Sequence, residues 1–215
     1  MSFDRRRPRG FRAHLRVGAA VVVLGMFGLP SVTWGTVEEQ RARLPPPADC
    51  SDPVEGIWMG MSHRLGYADW NEWTMKIRRE SPGASTLQGE MQAHWWKGGE
   101  HATEPPPCTP GQREYAVTMT GHGSITPDGR VAFGSHAVDK YEPICGEVGN
   151  YAPDNFSGTI DPAIQEFQSV NNDGRTAVNE PVVFRRVKCL ESHAPPAPNL
   201  VPPAFGPAKH AGCGR

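Results

Sequence analysis

The sequence predicts an all-β fold: one antiparallel up-and-down meander of seven to eight strands, closed into a barrel and stapled by disulfides. Three observations carry this. First, Trp73, Met75 and Ile77 share one face of a run whose other face holds Glu72, Thr74, Lys76 and Arg78. Leu87, Gly89, Met91, Ala93 and Trp95 alternate in the same way against Gln88, Glu90, Gln92 and His94. Period two is the signature of a half-buried strand. Second, short turn signals separate such runs, which favours neighbours in sequence as neighbours in space. A meander of about eight strands removes its open edges by closing; a two-sheet sandwich is the alternative. Third, four cysteines lie in or beside the alternating region, the pattern of a disulfide framework.

The strands follow in order. The first spans 54–62 and carries Gly56-Ile57-Trp58. The two alternating runs come next, joined by Ser81-Pro82-Gly83-Ala84, a turn sequence. A Pro-rich loop occupies 98–112 and holds Cys108. The fourth strand spans 114–121, with Tyr115, Val117 and Met119 on one face. Pro127-Asp128-Gly129-Arg130 turns the chain into a fifth strand at 131–138. A second loop, 142–153, holds Cys145. The sixth strand spans 155–160, with Phe156, Gly158 and Ile160 in phase. In 164–171 the apolar residues Ile164, Phe167 and Val170 step by three, which suits an irregular strand or one helical turn. Asn172-Asp173-Gly174-Arg175 is another turn, and 182–188 closes the domain.

The segments outside this region read differently. Residues 1–35 form a signal peptide or N-terminal anchor: six arginines from Arg5 to Arg16, then the apolar run 17–29, then Pro30. That run is shorter than the ~20 residues of a spanning helix, so membrane association is expected only if the segment stays uncleaved. Residues 36–49, with Pro45, Pro46 and Pro47, read as a Pro-rich linker, and 192–215 as a Pro-rich C-terminal tail. The domain proper is 50–191, exported to the periplasm or the cell exterior. Cys50 and Cys189 bracket the strands, and a closed sheet brings its first and last strands together. Cys108 and Cys145 sit in the two loops. The expected pairs are therefore Cys50–Cys189 and Cys108–Cys145, out of three connectivities. Cys213 is left as a free thiol or an intermolecular partner.

Gly56-Ile57-Trp58 on the first strand of a meander this long resembles the calycin group, the lipocalin and avidin-like barrels. The resemblance implies that Trp58 closes one end of the barrel and that a small-molecule pocket occupies the mouth.

The chain carries 22 basic and 23 acidic residues, so no overall basicity points to nucleic acid. There is no Gly-x-Ser-x-Gly elbow, His-Glu-x-x-His, phosphate-cradling loop or EF-hand loop, and no cofactor motif. The first functional expectation is a non-enzymatic barrel that binds a small apolar or aromatic ligand, or an envelope partner. Trp58, Trp70, Trp96 and Tyr67 are its candidate ligand residues, because an aromatic ring can wall a pocket or stack on a ligand. The second is a metal-dependent hydrolase built from His63, His94, His101, His122 and His136 with the loop acids Asp139, Glu142, Glu147, Asp154 and Asp161. In it, His94, His122 and His136 fall opposite the apolar faces, which favours solvent-facing or locally bonded rings. The third is a structural envelope module. A packed or hollow interior separates the first from the third. Oligomeric state is not encoded in these patterns.

Overall fold

The computed structural model describes residues 35–190 apart from Leu65 and Val148. The N-terminal apolar run, the C-terminal tail and Cys213 lie outside the described residues. One short helix precedes nine strands: α1 (Val37–Arg43), β1 (Gly56–Arg64), β2 (Asp69–Arg79), β3 (Thr86–Lys97), β4 (Glu114–Ile125), β5 (Arg130–Gly134), β6 (Lys140–Cys145), β7 (Asn155–Asp161), β8 (Glu166–Asn172) and β9 (Val178–Lys188).

Eight strands close an antiparallel up-and-down barrel. Around it run β1, β2, β3, β4, β5, β7, β8 and β9, and β9 returns to β1. The ninth, β6, pairs with the first half of β4 while β5 pairs with the second half. The expected loop at 142–153 is thus corrected: its beginning belongs to a strand. β6 is exposed along nearly its whole length and carries Pro143, so no buried face imprinted an alternation on it. The expected fifth strand ends early, at Gly134. The ambiguous stretch at 164–171 resolves as a turn through Gln165 and a strand from Glu166, because Phe167 and Ser169 face inward while Glu166 is held outside by Arg41 and Arg185.

The alternation seen in the sequence fills the interior. Trp58, Trp73, Met75, Ile77, Leu87, Met91, Val117, Met119, Phe133, Phe156, Phe167, Val182 and Phe184 form one buried cluster. Two rings fit because the facing position is glycine. A Cβ at Gly121 would lie 2.4 Å from the Phe133 ring, and one at Gly60 would lie 2.7 Å from that of Phe184. Phe184 packs edge-on against Phe156 at 4.7 Å between centroids.

One end is plugged. Trp58 is fully buried there, and its indole N–H donates to the Val54 carbonyl at 2.9 Å. The Arg186 guanidinium lies 5.1 Å from the Trp58 ring centre and donates to the carbonyls of Asp52 and Glu55 and to Gln165. Cys50–Cys189 closes the chain beside this end, with 5.5 Å between Cα atoms, and Cys108–Cys145 ties the 98–112 loop to β6, at 5.6 Å. Both expected pairings are present.

Residues 36–49 are more than a spacer. Thr36 and Glu39 form a capping box that starts α1, and the helix packs on the outside of β1 and β9. Pairing between β1 and β9 runs only to Gly60–Phe184. Beyond that point the buried Gln40 amide takes the missing strand's place, accepting from the Val183 N–H and donating to the Pro181 carbonyl, each at 2.9 Å. Among the described residues no helix is long and apolar enough to cross a membrane.

Candidate ligand site at the barrel mouth

The end opposite Trp58 is open. A cavity of about 280 Å³ is lined there by Trp73, Trp95, Tyr115, Tyr151, Asp154 and Glu180, with Arg64, Asn71, Arg113 and Asn171 around them. Its position follows from register. Ser62 and Arg64 on β1, Asn71 on β2, Trp95 on β3, Tyr115 on β4, Asn171 on β8 and Glu180 on β9 all lie on the inward phase of their strands. At the mouth that phase turns from apolar to polar. The segment after β6 completes the rim and brings Tyr151 and Asp154 inward. It is held by Tyr141, whose hydroxyl donates to the Tyr151 carbonyl at 3.1 Å, and by the Ser135 N–H, which donates to the Asp154 carbonyl at 3.0 Å.

Two carboxyl groups sit inside. Asp154, 3 % exposed, accepts on one oxygen from the Trp73 indole at 2.9 Å and the Tyr151 hydroxyl at 2.5 Å, and on the other from the Asn171 amide at 2.7 Å. Burial pushes its pKa up to about 6, against the pull of these three donors. Glu180, 2 % exposed, accepts from the Ser62 hydroxyl at 2.5 Å on one oxygen. Burial raises its pKa to about 8, and the neighbouring Asp154 charge adds to the rise. Burial also holds the Tyr151 hydroxyl protonated, well above the usual phenol range, and pushes Tyr115 up to about 12. At the rim, Arg64 grips Asp69, its directly opposed partner on β2, through two bonds of 2.9 and 2.5 Å.

The walls are aromatic. Trp95 stacks on Tyr115 at 5.0 Å between centroids, and Tyr115 meets Tyr151 edge-on at 6.3 Å. Such a site can seat a small ring between flat faces and offer it hydrogen-bonding groups of both kinds.

The four expected ligand residues do not come together here. Trp58 belongs to the plugged end. Trp70 and Trp96 lie on the outer face, where α1 and the 98–112 loop bury them to 3 % and 0 % exposure. They stack on each other at 5.8 Å, with His63 on Trp70 at 4.3 Å and the Arg43 guanidinium 4.2 Å from the Trp70 ring centre. Trp70 does line a second hollow of about 250 Å³ between α1 and the sheet, beside His63. Tyr67 is 57 % exposed beneath the Arg64 guanidinium. The mouth's own aromatics are Trp73 and Trp95, which lie on the apolar faces of their strands, together with Tyr115 and Tyr151.

The histidines scatter. His101, His122 and His136 are exposed, His63 is buried against Trp70, and His94 bridges Glu72 and Glu114 at 3.5 and 2.8 Å on the outer face. Among the described residues no three His, Cys, Asp or Glu side chains form a metal-holding group. Glu180 was not among the residues singled out from sequence. The signal was present, since it shares the phase of Val182 and Phe184 and so had to point inward. A larger cleft, about 510 Å³, opens between the turns beside the plugged end, but its lining is turn residues such as Pro53, Pro127, Gly129 and Pro162, with no buried polar group aimed into it.

No protein-family model, no curated protein and no solved structure matches the chain.

Proposed function

We propose that this chain is an exported, non-enzymatic barrel that binds a small ring-bearing ligand in its mouth. The observation that carries the reading is the inward-facing cavity whose aromatic walls, Trp95, Tyr115 and Tyr151, stand over the buried polar floor of Asp154, Asn171 and Glu180. A floor of this kind is costly to bury, and fixing the orientation of a guest is one return for that cost. The interior below the mouth is packed, so the guest sits at the opening rather than deep in the barrel. The Trp58 plug supports the calycin-like reading of the fold. Two disulfides fit an oxidising compartment and support export.

The test is a titration of the purified chain with small aromatic compounds, followed by tryptophan fluorescence. Saturable binding is expected. Trp95→Ala should weaken it at least tenfold, while Trp70→Ala, on the outer face, should leave it unchanged. Binding that survives Trp95→Ala and is lost in Trp70→Ala would move the site to the hollow under α1.

A further inference from the structure

The geometry points to a ligand carrying a primary ammonium group, seated against Glu180 with its ring between Trp95, Tyr115 and Tyr151. This deepens the small-ligand reading and rests on it.

Glu180 is nearly fully buried, lines the cavity and uses one oxygen for Ser62; its other oxygen has no hydrogen-bond partner among the described residues. That oxygen opens to the cavity, where a ligand's donor can reach it. Every donor on Asp154, beside it, is neutral: an indole, a phenol and an amide. Asp173 adds a third acid to the lining. The two arginines of the mouth do not offset these acids in full. Arg64 forks onto Asp69 and its charge also reaches Glu180, pulling the Glu180 pKa down, while Arg113, on the rim, donates to the Glu147 carbonyl at 3.4 Å. Three acids, Asp154, Asp173 and Glu180, thus line a mouth that holds two arginines, one of them already bonded to Asp69. The flanking rings supply the second half of a cation site, since the faces of Trp and Tyr attract an ammonium as well as an aromatic group. An ammonium brings three N–H donors to the open Glu180 oxygen, and its positive charge makes Glu180 release to solvent the proton that burial holds on it.

Three near-isosteric probes decide it: 2-phenylethylamine, 2-phenylethanol and phenylacetate, titrated into the full chain by calorimetry at pH 7. The amine should bind at least tenfold more tightly than the alcohol, with phenylacetate weakest. In Glu180→Gln the amine should lose its advantage, the ratio of amine to alcohol affinity falling from at least tenfold to about one. If amine and alcohol bind equally, or phenylacetate binds best, the ammonium assignment is wrong and the small-ligand reading stands. If none of the three binds while the chain is folded, both fall. The comparison on the unsubstituted chain decides even if Glu180→Gln folds poorly.

Discussion

Replacing Glu180 by Gln should make the protein more stable at pH 8 and nearly neutral in effect at pH 5. The folded chain holds the Glu180 proton up to about pH 8, whereas the unfolded chain releases it near the ordinary value of 4.5. Between those two values the native state carries the extra proton, so stability falls as pH rises. One proton corresponds to about 1.4 kcal/mol per pH unit. Over roughly three units this approaches ~4 kcal/mol, and water entering the open mouth trims it to about 2–3 kcal/mol. Gln cannot ionise, keeps the shape, and can still accept from the Ser62 hydroxyl, so it escapes the loss. His94, on the outer face, acts in both chains and cancels in the difference, whereas Asp154 is coupled to Glu180 by charge and its ionisation adds to the gap. Urea unfolding at pH 5, 6, 7 and 8, read by tryptophan fluorescence, measures it. The gap between Glu180→Gln and the parent chain should open steadily toward pH 8. A gap that stays constant from pH 5 to 8 would mean that Glu180 ionises normally and that the polar floor is misdescribed.

Other perturbations have equally definite outcomes. Gln40→Ala strips partners from the Val183 N–H and the Pro181 carbonyl, so it should cost about 2 kcal/mol in urea unfolding; a loss below about 0.5 kcal/mol would show that α1 does not replace strand pairing there. Removing Cys50–Cys189 closes no loop across 139 residues and should cost about 5 kcal/mol, against about 4 for the 37-residue Cys108–Cys145 separation, by loop-closure entropy; the reverse order in chemical denaturation of the paired Ser variants would contradict it. His94 is raised above 6.5 by its bonds to Glu72 and Glu114 despite partial burial. Its contribution is present below pH 6.5 and lost as pH rises through the folded value, so its NMR titration midpoint should lie above 6.5, and a midpoint at or below 6.5 would count against the bridge.

The barrel itself was legible because its inward residues repeat every second position on long strands, and the expected turns are present, with Gly83, Gly129 and Gly174 each at positive φ. What escaped has identifiable causes. β6 buries almost nothing, so it left no pattern. The capping box of α1 was written in Thr36 and Glu39, but a seven-residue helix beside three prolines carries little periodicity. Alternation turns Trp96 away from Trp95, yet period two cannot report that a helix and a loop cover the outward face where it lies with Trp70. At the mouth the inward phase continues in polar residues, where alternation of hydrophobicity loses its signal. Glu180 is visible only by counting back from Val182 and Phe184, and Asp154 looks like any loop acid until the chain folds it under Tyr151.

The most direct measurement is a crystal structure of the chain grown with 2-phenylethylamine. The account predicts the ring beside Trp95 and Tyr151, with the ammonium nitrogen about 3 Å from the second Glu180 oxygen, a charge-assisted hydrogen-bond distance. A ligand found under α1 beside Trp70, or a mouth filled only by solvent at saturating amine, would contradict it.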